Sequence, residues 1–306
     1  MTFAVLCSGQ GNQHPGMLSL LQNEVGASEV LDAAAGELGF DLRDAVAGSA
    51  DLFDNLLAQP LICVAQSAAW HAMREALPPP LAFAGYSVGE LASYACAGAL
   101  SARALAQLAS ERAQIMQAAA KTPGGLVALR GLYRPQIDAL CRDKELWVAI
   151  VIDEAGFVLG GSQRAIDRCV DEARSQGAQI TCLRVGIASH TPLLKDAVER
   201  FRGALERSSL SDPPIAVLSG TDASLISERS AAIDALARQI AQTINWALCL
   251  DSLYERGARV FIELGPGNAL ARNAQARFEG VESRSLDDFR SLSAAVDWVR
   301  NRVGCS

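Results

Sequence analysis

The chain has 306 residues, of which 50% are hydrophobic and 20% charged, with a formal net charge of −7. That is enough apolar material for one large α/β domain, or for a large domain with a smaller one. The acidic balance, with no basic run and no aromatic–basic interleaving, argues against nucleic acid and against an anionic membrane surface.

An anionic small substrate stays open, because one buried arginine can serve it locally. No apolar run approaches the ~20 residues that span a bilayer, and no charged segment ahead of an apolar one marks a secretion signal. The eight cysteines, from Cys7 to Cys305, form no C-x-x-C and have no histidine at metal-ligand spacing. They read as reduced thiols, mostly small buried hydrophobes. The expectation is a soluble cytoplasmic enzyme without a metal.

Thr2 to Leu6 reads as a first buried strand, left through the Gly-rich loop Cys7-Ser8-Gly9-Gln10-Gly11-Asn12-Gln13. This is neither a dinucleotide loop nor a Walker A loop, since His14 stands where the next glycine would be and no Gly-Lys-Ser/Thr follows. Residues 17 to 58 read as short helices, and Leu61 to Ala76 as a longer one. His14 and His71 are assigned no role. Pro78-Pro79-Pro80 stops the helix, and Leu81-Ala82-Phe83-Ala84 reads as a second buried strand.

Next comes Gly85-Tyr86-Ser87-Val88-Gly89-Glu90, then a helix from Leu91 to Leu100. Strand, G-x-S-x-G, helix is the nucleophile-elbow arrangement. The glycines let strand and helix pack around a strained turn that lifts the Ser87 hydroxyl above the sheet. The Val88 N–H, at the helix N-terminus, then points where an oxyanion would develop. The pentapeptide alone is weak evidence; its flanking elements and its partners elsewhere decide its meaning.

Ser101 is placed to cap a helix running to about Ala120, on which Arg112 has apolar neighbours Ala109, Ala113 and Met116. Thr122-Pro123-Gly124-Gly125 reads as a boundary. Strand 126–131, helix 134–142, strands 146–152 and 156–159, helix 163–176 and strand 179–185 then follow in β-α-β-β-α-β order, the ferredoxin-like unit. Residues 125–188 are therefore assigned to a small inserted subdomain, with 1–124 and 189–306 forming the large α/β-hydrolase-like domain.

His190 falls at the return junction, just before a helix over 193–206. As a histidine at a domain junction in a chain with a serine elbow, it is the best general-base candidate. A strand over 215–219, helices over 231–245 and 248–256 and a strand over 259–264 come next. Asn268, after Gly265-Pro266-Gly267, is placed to cap another helix, and a last helix covers Leu292 to Val303.

Gly9-Gln10-Gly11-Asn12-Gln13, the elbow with Glu90, Arg112 with Met116-Gln117, Ala188-Ser189-His190 and Glu263-Leu264-Gly265-Pro266-Gly267 occur in this order. Over about residues 3 to 275 the chain thereby resembles the malonyl-CoA:acyl-carrier-protein transacylase family. The resemblance implies Ser87 as the nucleophile and His190 as its base, steadied by the Gln239 backbone carbonyl instead of an aspartate. It implies the N–H groups of Gln10 and Val88 as the oxyanion hole. It implies Arg112 as the grip on the malonate carboxylate, a role that suits a planar, permanently charged guanidinium.

The family shapes its acyl pocket at the positions of Ser189, Tyr86 and Met116. No permanently bound cofactor is implied; malonyl-CoA is the donor and the prosthetic arm of an acyl-carrier protein the acceptor. Cys7-Ser8 replaces a usual Phe-Pro, Tyr86 a usual His, and Ser189 a usual Phe, the last as in some methylmalonyl-selective domains. The elbow, Ala58-Gln59-Pro60-Leu61-Ile62-Cys63 and Ser189-His190-Thr191-Pro192 look more like one branch, the transferase subunits of bacterial malonate decarboxylases. The expected partners are then that enzyme's carrier subunit and its other subunits. The alternatives are the fatty-acid-synthesis transacylase and, in a different class, a serine esterase.

Overall fold

The computed structural model describes residues 1–48, 50–142 and 145–304. Cys305 lies outside them. In chain order, β1 (Thr2–Cys7) is followed by α1 (Val25–Leu38), α2 (Leu42–Ala47) and α3 (Asn55–Met73). Then come β2 (Phe83–Gly85), α4 (Val88–Cys96) and α5 (Ala102–Ala119). The middle of the chain holds β3 (Gly124–Arg130), α6 (Arg134–Cys141), β4 (Leu146–Asp153), β5 (Gly156–Ser162), α7 (Gln163–Ser175) and β6 (Gln179–Cys182).

The last third runs α8 (Lys195–Arg207), β7 (Val217–Leu218), β8 (Leu225–Ile226), α9 (Arg229–Gln239), β9 (Ile244–Asn245) and α10 (Trp246–Glu255). It ends with β10 (Ala258–Glu263), α11 (Ala269–Arg277), β11 (Glu282–Ser285) and α12 (Leu292–Val303).

The larger sheet has six strands in the order β11-β10-β1-β2-β7-β8. Its pairings are parallel except for the β7–β8 edge. β1 is buried on both faces from Phe3 to Cys7, as a continuous apolar run in a parallel sheet should be. Side chains alternate along it: Phe3, Val5 and Cys7 join a core shared with α1, α3, α4, α5, α8, α9 and α12. Ala4 and Leu6 face the other way, onto Trp246, Leu250 and Leu253 of α10 and onto Leu126 and Val158 of the second sheet.

The second sheet is ordered β6-β3-β5-β4-β9. Its first four strands are antiparallel and, with α6 and α7, make the ferredoxin-like unit. β9 adds a parallel edge, with Ile150 opposite Ile244, from a stretch far along the chain. The fold is thus α/β, a large parallel-sheet unit carrying the elbow beside a smaller ferredoxin-like one.

Several boundaries differ from those read off the sequence. α3 begins at Asn55, not Leu61, with Asp54 Oδ1 accepting from Leu56 N at 2.9 Å and Pro60 lying inside the helix. A proline in the second turn lacks a donor, and this is why the sequence suggested a later start. The elbow helix starts at Val88, earlier than Leu91, and the helix read over 193–206 opens with a 3₁₀ turn at Pro192–Leu194.

The helix read over 231–245 ends at Gln239, and its final residues form β9 instead. β6 stops at Cys182, and the strand read over 215–219 shrinks to Val217–Leu218. β11, Glu-Ser-Arg-Ser, carries no apolar alternation and was not anticipated. Asn268 precedes α11 but does not cap it; its Nδ2 donates to Asp288 Oδ1 at 3.2 Å.

Two glycines let β1, β2 and α4 converge. A Cβ on Gly85 would lie 2.1 Å from the Glu90 amide nitrogen, and one on Gly89 2.2 Å from the Cys7 carbonyl oxygen. Both obstacles are backbone, so neither can swing aside. Gly89→Ala is expected to destabilise the fold by ~2–3 kcal/mol or more, read as a lowered midpoint in urea unfolding; an unchanged midpoint would mean that the α4–β1 approach is looser than described.

Candidate active site

Ser87 sits between β2 and α4 with φ 58° and ψ −121°. Positive φ is strained for a side chain with a Cβ, and such strain persists only where neighbours over-determine it. The turn leaves the hydroxyl facing His190, with Ser87 Oγ and His190 Nε2 2.8 Å apart. His190, itself at φ 61°, is 1% exposed. Its Nδ1 donates to the Gln239 carbonyl at 2.7 Å and its main-chain N–H to the Ile240 carbonyl at 2.8 Å.

Those acceptors explain where α9 stops. The last carbonyls of a helix have no partner within it and carry the negative end of its dipole. Here they hold the histidine by ring and backbone at once. With Nδ1 protonated toward a carbonyl, Nε2 is left bare to accept the Ser87 proton. Burial, and then the charge of Arg112, push the His190 pKa down to about 3, while the Gln239 carbonyl pulls it up. The ring is therefore neutral, the form a general base requires.

Arg112, on α5, is also 1% exposed. Its Nη1 donates to Gln59 Oε1 at 2.7 Å and its Nη2 to Gln239 Oε1 at 3.1 Å. Both partners are neutral amides. Burial lowers its pKa to about 10, which leaves it cationic at neutral pH. A buried cation held by neutral amides is a site prepared for an anion, because an unpaired charge in the interior is costly.

Gln239 links the parts. Its Nε2 donates to the Ser87 carbonyl at 3.0 Å and to Glu90 Oε2 at 2.6 Å, its Oε1 accepts from Arg112, and its backbone carbonyl accepts from His190.

The Gly-rich loop runs beside the elbow. A Cβ on Gly9 would meet the Tyr86 carbonyl oxygen at 2.7 Å. Gln66 of α3 fixes that loop by donating to the carbonyls of Ser8, at 2.8 Å, and Gly265, at 2.6 Å, and the Ser8 hydroxyl donates to Gly265 as well. The polar Ser8 is thus a partnered loop residue. Gln10, Tyr86, Arg130, Arg272 and Asn273 line a cleft of about 580 Å³ between the two sheets. Tyr86 packs edge-to-face on Trp246 at 5.6 Å. Val88 is the first residue of α4, so its N–H leaves the helix end unpartnered within the helix.

Met116 lies one turn beyond Arg112, with its sulfur 3.7 Å from Gln59 Nε2, and Ser189 is buried beside His190. The structure therefore gathers Ser87, His190, Gln239 and Arg112 into one contiguous network and places Gln10, Tyr86 and Val88 around the elbow. Two members had not been singled out: Gln59, in the helical turn ahead of Pro60, and Glu90, quoted only as part of the elbow. Each is a polar residue set among apolar neighbours in the sequence. The other histidines lie elsewhere, His14 3.0 Å from Asp287 and His71 3.8 Å from Glu29, so His71 has a polar neighbour that its sequence context did not suggest. Among the described residues no cluster of three or more His, Cys, Asp or Glu could hold a metal ion, and no helix is long and apolar enough to cross a membrane.

Fold and site define an α/β protein whose nucleophile elbow adjoins, through Tyr86, a cleft between the two sheets. The family description "acyl transferase domain" matches residues 4–300, and the chain belongs to that family. It is 28% identical over 308 residues to the malonyl CoA-acyl carrier protein transacylase of Haemophilus influenzae, covering 97% of this chain and 99% of the relative. It is 30% identical over 289 residues to the enzyme of that name from Mycobacterium bovis, covering 92% and 95%. Among solved structures, an acyl-carrier-protein S-malonyltransferase from Burkholderia pseudomallei superposes with a TM-score of 0.90 at 31% identity, over 97% of this chain and 100% of the other. A malonyl-transacylase solved with its type II polyketide acyl-carrier protein superposes at 0.91, with 26% identity and coverage of 97% and 99%.

The His190 ring is expected to stay neutral, with its proton on Nδ1, from pH 8 down to pH 5. Ring-nitrogen NMR checks this, since the chain has only 3 histidines. A ring that titrates near the ordinary value of ~6.5 would contradict the burial and Arg112 effects.

Proposed function

We propose that the protein is a malonyl-CoA:acyl-carrier-protein malonyltransferase that works through an ester on Ser87. The observation that carries this reading is the buried Arg112, held by two neutral amides within the network that orients Ser87 and His190. A plain esterase has no use for such a cation, whereas the free carboxylate of a malonyl group fits it.

In this reading Ser87 Oγ attacks the thioester carbonyl as His190 Nε2 takes its proton. The N–H groups of Gln10 and Val88 receive the developing oxyanion; one such donor is typically worth ~10²–10³-fold in rate. The CoA thiolate leaves with the proton returned by His190. The carrier thiol then gives its proton to His190 and attacks the ester, and Ser87 recovers its hydrogen.

Substrate binding also tunes the base. Arg112 is one of the two effects that depress His190. A malonyl carboxylate on the guanidinium offsets that charge, so the ring becomes more basic when the correct acyl group is present. Ser189, Tyr86 and Met116 bound the acyl pocket. Residues 1–124 and 189–306 form the acyltransferase domain and 125–188 the small subdomain, with the cleft between them admitting the donor and then the carrier arm.

The acceptor we assign is the carrier subunit of malonate decarboxylase, supported by the branch-like elbow and Ser189-His190-Thr191-Pro192 stretch. The fatty-acid-synthesis carrier is the second candidate, favoured by the names of the relatives above. Parallel transfer assays with the two carriers separate them: faster transfer to the decarboxylase carrier supports the assignment, and faster transfer to the phosphopantetheine carrier reverses it.

Arg112→Ala is expected to lower malonyl loading by ~30-fold or more, the equivalent of losing ~2–5 kcal/mol of charge-assisted pairing. Acetyl loading should fall far less. Rapid-quench measurement of both CoA esters checks this, and an equal loss for both would remove Arg112 from the carboxylate role.

A further inference from the structure

We infer that Glu90 is a positioning residue for acyl-group selection, acting through the Gln239 side chain to aim Arg112. It is the third residue of α4, where an acidic side chain commonly complements the helix dipole from solvent. This one does not face solvent, being 0% exposed. Its Oε2 accepts from Gln239 Nε2 at 2.6 Å and from the Gly220 main-chain N–H at 3.0 Å. The lack of a side chain at position 220 leaves room for this approach, since a Cβ there would lie 2.7 Å from that same oxygen.

A glutamine side chain between two buried groups can turn either end to either neighbour. Glu90 removes that freedom. Its oxygen, together with the Ser87 carbonyl at 3.0 Å, accepts only the amide N–H groups of Gln239. The amide oxygen is thereby directed at Arg112 Nη2. Were the amide reversed, its N–H₂ would confront the guanidinium, donor against donor, and Arg112 would lose one of the two anchors that hold its fork in place. The order Glu90, Gln239, Arg112 is thus a relay between a buried acid and a buried cation through one neutral amide. Meanwhile the Gln239 main chain, which holds His190, is left undisturbed.

The inference rests on the malonyl-transfer reading above, and the experiment separates the two. The readout is the ratio of loading efficiencies, kcat/KM for malonyl-CoA over acetyl-CoA. Glu90→Leu removes the acceptor and is expected to lower this ratio by about tenfold or more, as when a buried polar group loses its partner. Glu90→Gln keeps a carbonyl oxygen in place and is expected to hold the ratio within about threefold of the unsubstituted protein.

A merely structural role would lower both efficiencies together and leave the ratio unmoved, and that outcome overturns the inference. So does a ratio that collapses in Glu90→Gln. Where Glu90→Leu does not fold, Gln239→Met takes away the same amide while keeping the carbonyl under His190. Its ratio is expected to fall by a similar factor, and an unchanged ratio overturns the inference. If the unsubstituted protein loads neither ester, the malonyl-transfer reading fails; normal loading with unmoved ratios in the variants removes only the role of Glu90.

Discussion

The C-terminal end of α9 is the constraint on which the rest of the site depends. Where that helix stops, the carbonyls of Gln239 and Ile240 are free to hold His190 by ring and backbone. The side chain of the same Gln239 reaches the elbow carbonyl, Glu90 and Arg112. One residue therefore sets the tautomer of the His190 ring, ties it to the strained serine turn and anchors the cation. A helix one turn longer would consume those carbonyls internally. The fold supplies this end by turning the next residues into β9, which joins the second sheet beside β4. The two units thus meet on the segment that orients the chemistry.

Electrostatics in the cleft follow from burial without a direct counter-ion. Arg112 keeps its charge among neutral amides and depresses His190. Glu90 lies one amide away, its own pKa raised to about 7 chiefly by burial. A guanidinium left in this condition favours an anionic ligand over a neutral one, and the ligand's arrival raises the basicity of the nearby ring. Binding and activation are in this account the same event.

Much of the fold was legible because its elements have strong local signatures. β1 is a continuous apolar run, the ferredoxin-like unit follows its β-α-β-β-α-β rhythm, and α12 runs over Leu292–Val303 as its pattern indicates. The elbow was legible because glycines are needed where backbone meets backbone, as at Gly85 and Gly89. What sequence alone concealed has physical reasons. Pro60 suggested a helix starting after it, which put Gln59 outside any helix and hid that it faces Arg112. The apolar pattern around Ile240 and Ile244 suits a helix, yet tertiary contacts with His190 and β4 end α9 early. β11 is polar and gains its strand form only from pairing with β10. Glu90 falls before the helix as read from sequence, as the residue after the elbow, and only its burial against Gln239 and Gly220 distinguishes it.

The central claim, that Ser87 carries a malonyl ester selected by its carboxylate, is tested most directly by intact-mass spectrometry after mixing the protein with malonyl-CoA, followed by peptide mapping. A single malonyl-sized adduct is expected on the peptide containing Ser87, absent in Ser87→Ala, with little adduct from acetyl-CoA. No adduct, or an adduct on another residue, would contradict it.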